Sequence, residues 1–107
     1  MPYIITTSLY PSDIAPEVAK RYLEAIQKYP IDESLSSPVV PAAVKATHDG
    51  IEVIMITEPK EGKLQEAYAL GVNRMIMFHS IEGFEYSMDI YYTLPEAMTA
   101  IGMSLPE

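Results

Sequence analysis

With 15 acidic residues against 7 basic ones among its 107, the chain carries a formal net charge of −8, and it contains no cysteine. The length suits one domain with a thin core, and a composition 49% apolar and 21% charged is that of a folded chain, not a disordered one. The acidic balance disfavours nucleic acid and anionic lipid surfaces as partners. The lack of cysteine removes disulfides, thiolate metal sites and cysteine nucleophiles.

The opening residues, Met1-Pro2-Tyr3-Ile4-Ile5-Thr6, lack the basic and long apolar segments of a secretion signal. No apolar run approaches the ~20 residues of a membrane-spanning helix. A cytoplasmic location with no membrane partner is expected.

Residues 3–10 alternate as a strand and stop at Pro11-Ser12-Asp13. Ser12 or Asp13 is then expected to cap a helix with Pro16 in its first turn. Ile14, Val18, Tyr22, Ile26 and Tyr29 form its apolar stripe, and Pro30 ends it. Residues 30–41, with three prolines and three serines, read as a loop, with a surface connector weighed above a lid. Asp49-Gly50 between strand-like residues 43–48 and 51–57 predicts a type I′ hairpin turn, pairing His48 with Ile51, Ala46 with Val53 and Val44 with Met55. Glu58-Pro59-Lys60-Glu61-Gly62 breaks that strand. Residues 63–79 follow as a second helix despite Gly71 and Asn73. Residues 84–93 alternate cleanly as the last strand, and Thr93-x-x-Glu96 with Pro95 predicts a capping box on a short terminal helix ended by Gly102.

The expected architecture is therefore α+β: a ferredoxin-like βαββαβ single domain over residues 1–107, with a four-stranded antiparallel sheet, both main helices on one face and a short C-terminal helix. The two central strands, 3–10 and 51–57, are apolar on both sides. Two helices cover only one face, so apolar surface at Ile4, Tyr10, Ile54 and Ile56, or at their opposite-face neighbours, is left for a second copy or for the loop and terminal helix. In length, element order and two-faced sheet the chain resembles the dimeric α/β-barrel superfamily, in which two ferredoxin-like protomers pack sheet to sheet around a shared cavity. The resemblance spans nearly the whole chain at the level of architecture and brings no member-specific motif or catalytic residue. It implies a homodimer. The superfamily includes cofactor-free monooxygenases, haem-degrading enzymes, lactone isomerases and many uncharacterised proteins.

His48 and His79 are the two histidines. Their spacing with Glu52 or Glu58 matches no metal-ligand motif, so no metal and no cofactor are expected. His79 is the candidate acid/base, because an imidazole titrates near neutrality, weighed against a structural role at a helix end. Thr6, Ser8, Tyr10, Lys45, Glu52, Ile54, Ile56 and Tyr91 are the candidate ligand-binding residues. The polar strand positions among them, with Thr47, are expected to share a face with Ile54 and Ile56. Three functions remain in order: a homodimer binding a small apolar or aromatic molecule between its sheets, a cofactor-free monooxygenase or isomerase using the same cavity, and a protein-interaction module.

Overall fold

Strict alternation in the first strand sets the two sides of the molecule. In the computed structural model, which describes residues 1–104, β1 (Tyr3–Tyr10) buries every even-numbered residue: Ile4, Thr6, Ser8 and Tyr10. A 3₁₀ turn (Ser12–Ile14) leads into α1 (Ala15–Lys28). Then come β2 (Ser36–Thr47), β3 (Gly50–Pro59), α2 (Leu64–Ile76), β4 (Glu85–Tyr91) and α3 (Leu94–Ala100). The strands form one antiparallel four-stranded sheet in the order β2-β3-β1-β4. The α+β architecture is compatible with a ferredoxin-like arrangement.

Several local expectations change. The hairpin turn is His48-Asp49, one residue earlier than expected, and no non-glycine residue has positive φ, so it is not type I′. The Thr47 hydroxyl competes successfully with that geometry: it accepts from the Asp49 N–H at 3.1 Å and donates to the Gly50 carbonyl at 2.8 Å. Gly50 is required for another reason. It has φ +134°, and a Cβ there would lie 2.2 Å from the Tyr10 carbonyl oxygen. Pairing slips by two residues, to Ala46–Ile51 and Val44–Val53. A two-residue slip leaves each side chain on its expected face.

The segment expected as a loop at 30–41 is half strand. β2 starts at Ser36 and passes through Pro38 and Pro41, with register shifts on either side of Val40. Proline is compatible here because β2 is an edge strand, where a missing donor and a bulge disturb only one neighbour. β3 likewise runs through to Pro59, which is fully buried. At the start of α1, neither Ser12 nor Asp13 caps by its side chain, because both are taken into the 3₁₀ turn closed by Ile14 N–H to the Pro11 carbonyl at 3.2 Å. The capping box on α3 forms as expected, and Gly102 ends that helix with φ +79°.

Antiparallel pairing of β1 with β3 sets Ile5 opposite Ile56 and Thr7 opposite Ile54. Odd residues of β1 thus share a face with even residues of β3. The expected grouping of Ile4 and Tyr10 with Ile54 and Ile56 is therefore corrected: the first pair is under the helices and the second lies on the opposite, open face. The core is built from Tyr10, Val18, Ala25, Met75, Phe78 and Ile81, with Ile51, Val53, Met55 and Met88 packed against it, all on the helix side.

No residue of α3 is buried, and Leu94 on it and Ile101 just after it are largely exposed. The 30–35 segment borders a hollow with Lys28 at the end of α1 and Leu70 in the middle of α2. Neither segment is part of the packed core. The chain exposes 7233 Å², about a fifth more than the ~5,950 Å² that size scaling gives a folded monomer of 11.9 kDa. Its radius of gyration, 15.6 Å, likewise exceeds the ~13 Å of an average domain of this length.

Candidate functional site

Between the sheet and its two main helices lies a cavity of about 430 Å³. Its cause is side-chain size. α1 and α2 present Ala25, Ala67 and Gly71 to the sheet, and β1 answers with Thr6 and Ser8. Small residues facing small residues leave volume that a leucine-rich core would fill. Val53, Met55, Met75 and Met88 supply apolar walls. Three aromatic rings stack beside it: Phe78 on Phe84 at 4.8 Å between centroids, and Phe84 on Tyr10 at 5.9 Å. Burial pushes the Tyr10 phenol above its ordinary value.

One charged group reaches this space. Arg74, in the last turn of α2, donates from Nε to the Tyr29 carbonyl at 2.8 Å. Its Nη2 is buried and has no hydrogen-bond partner among the described residues. Desolvation lowers the guanidinium's basicity, partly offset by Tyr22. Among the described residues lining the cavity, Arg74 alone is charged.

The structure divides the expected binding residues between two places. Thr6, Ser8 and Tyr10 line the cavity. Lys45, Glu52, Ile54, Ile56 and Tyr91 belong to the open face, where Lys45 pairs across the strands with Glu52 and Tyr91 with Tyr3. The expected sharing of one face by Thr6 and Ser8 with Lys45, Glu52, Ile54 and Ile56 is thus overturned by the β1–β3 register. On the open face Tyr3, Ile5, Leu9, Ile54 and Ile56 form an apolar centre. Thr7, opposite Ile54, interrupts it, with its hydroxyl 2.9 Å from that of Ser87, and Asp89 and Glu85 flank it along β4.

His79 sits in the turn after α2, not in the helix, and is exposed. Its Nε2 lies 2.8 Å from the Tyr86 hydroxyl, with the two rings stacked at 5.6 Å. Neither residue lines the cavity, so this pair does not face a molecule held there. His48 is exposed in the hairpin turn. Among the described residues no three histidine or acidic side chains come together as a metal site, and no helix is long and apolar enough to cross a membrane.

Arg74 is the site residue that sequence reading passes over, although a signal exists. Ala67, Gly71, Arg74 and Phe78 recur at steps of four, three and four, so a cation falls within the inward stripe of α2 beside its two smallest residues. No protein-family profile matches the chain, and no curated protein matches it.

Proposed function

We propose that this chain is a small-molecule-binding protein that holds a mainly apolar ligand between its sheet and its helices, and that two copies pair through the open sheet face. The observation that carries the binding reading is the cavity itself: about 430 Å³, apolar-walled, with the Thr6, Ser8 and Tyr10 hydroxyls along one strand. That volume lies in the ordinary range of ligand pockets, and a few polar groups on apolar walls are what orients a small ligand. The pairing is supported by the excess surface and by the apolar centre at Ile5, Ile54 and Ile56. A standard interface removes about 800 Å² per partner, less than the excess this chain exposes. Such a pair has the geometry of a dimeric α/β barrel built from ferredoxin-like protomers, with the ligand inside each protomer instead of between the sheets.

Native mass spectrometry of the purified protein, with thermal shifts against a panel of aliphatic and aromatic molecules, tests the binding reading. The expected result is a bound small molecule or a stabilising ligand whose effect disappears in Ser8→Phe, which fills the cavity. A bare mass with no stabilising compound overturns it.

A further inference from the structure

We infer that the ligand is a carboxylate with an apolar body, its carboxyl group paired with the Arg74 guanidinium; this rests on the reading that the helix–sheet cavity is a binding site. Two observations converge. First, the guanidinium is held in place. Nε is committed to the Tyr29 carbonyl at 2.8 Å, so the orientation of the planar group is set before any ligand arrives. Second, the charge of the cavity is opposite to that of the chain. The protein carries 15 acidic residues, yet among the described residues no acidic one lines the cavity, and Arg74 is the only charged one there. A cation among apolar walls favours an anionic partner, which offsets the loss of water around it.

The rest of the lining defines the other end of the ligand. Met55, Met75 and Met88 are flexible, polarisable walls that adapt to more than one apolar shape. One guanidinium with no second cation among the described lining residues matches a monoanion better than a phosphate ester, which gathers several donors. Arg74 is therefore a binding and selectivity residue. It prefers an acid over the alcohol of the same carbon skeleton, because only the acid supplies a charged acceptor.

Calorimetric titration of the full chain with matched pairs, octanoate against octan-1-ol and 4-phenylbutyrate against 4-phenylbutan-1-ol, separates the layers of the argument. The expected result is acid binding at least about tenfold tighter than alcohol in one pair, the size of one charge-assisted hydrogen bond. Arg74→Gln should abolish that preference, so that acid and alcohol bind alike. Equal binding of acid and alcohol by the unaltered protein overturns the carboxylate inference while leaving the cavity reading intact. Binding of neither pair overturns both. The comparison within the unaltered protein needs no variant, so a poorly folding Arg74→Gln chain does not remove the test. A preference that persists in a folded Arg74→Gln protein also overturns the assignment to Arg74.

Discussion

Arg74 caps its neighbouring helix: its Nε reaches the carbonyl oxygen of Tyr29, the residue that closes α1, at 2.8 Å. Carbonyls at a helix C-terminus lack partners within the helix and carry the negative end of its dipole. A cation fixed there joins the two helices. Truncation by Arg74→Ala should cost roughly 1–2 kcal/mol, as expected for one charge-assisted hydrogen bond in a half-buried place. Arg74→Lys should recover part of it. The urea midpoint at constant slope is the measurement, and an unchanged midpoint for Arg74→Ala would show that the tie contributes nothing.

The approach of Tyr10 to Gly50 predicts a sharp contrast between two glycines. A Cβ on Gly50 would lie 2.2 Å from the Tyr10 carbonyl oxygen, a backbone atom that cannot step aside without disturbing the sheet. Gly62 has φ +75° and nothing within 4 Å of a built Cβ. Gly50→Ala should therefore cost about 3 kcal/mol or more, against about 1 kcal/mol for Gly62→Ala, which has only the left-handed backbone to tolerate. Equal losses in chemical denaturation would refute the contact.

Gly71 makes the opposite case and probes the cavity. A Cβ there would come within 2.7 Å of Met88 Cε, the far end of a flexible side chain that itself lines the cavity. With space to swing into, the methionine should yield. Gly71→Ala should then be neutral or stabilising by up to about 1 kcal/mol, the helix-propensity difference. Clear destabilisation on thermal unfolding would mean that the space beside Met88 is smaller than described.

Acid should loosen the α3 end first. The Glu96 carboxyl is held below its ordinary 4.5, chiefly by accepting the Thr93 N–H at 2.9 Å and further by the Met1 amino group at 3.1 Å. Asp32 is lowered in the same sense by the Ser34 hydroxyl and N–H. A depressed carboxylate contributes above its unfolded value, and the contribution is lost as pH falls through the folded value. The amide protection factors in 94–100, taken against the intrinsic exchange rate at each pH, should therefore begin to fall below about pH 4.5, before the sheet opens. Thr93→Ala should bring the same loosening at neutral pH, with about 1 kcal/mol less helix stability. Protection factors in this segment that are flat across the acid range would refute the coupling.

Pairing through the open face makes a prediction about mass. Ile54→Asp or Ile56→Asp places a carboxylate at the apolar centre without touching the helix-side core. The expected outcome by light scattering is a change from two chains to one with the circular dichroism spectrum retained. A monomeric mass for the unaltered protein at high concentration would exclude the pair outright.

Residues 3–10 show how much the sequence by itself determines. Their alternation, with Pro11 as a stop, is a local property, and β1 is found at those residues. The same holds for the α3 capping box, whose two hydrogen bonds are made within four residues. The assignment of side chains to faces did not come from sequence, because alternation states that Ile4 and Ile5 point apart but not which of them meets Ile56. Only the β1–β3 register decides that, and it sent Thr6, Ser8 and Tyr10 under the helices and Lys45, Glu52, Ile54, Ile56 and Tyr91 to the open side. The first part of β2, residues 36–42, was hidden because proline opposes a strand by propensity, and only its place at the sheet edge makes Pro38 and Pro41 acceptable there. The cavity is likewise a tertiary fact. Ala25, Ala67, Gly71, Thr6 and Ser8 enclose a volume only because the fold sets small side chains opposite one another, with Arg74 among the lining residues.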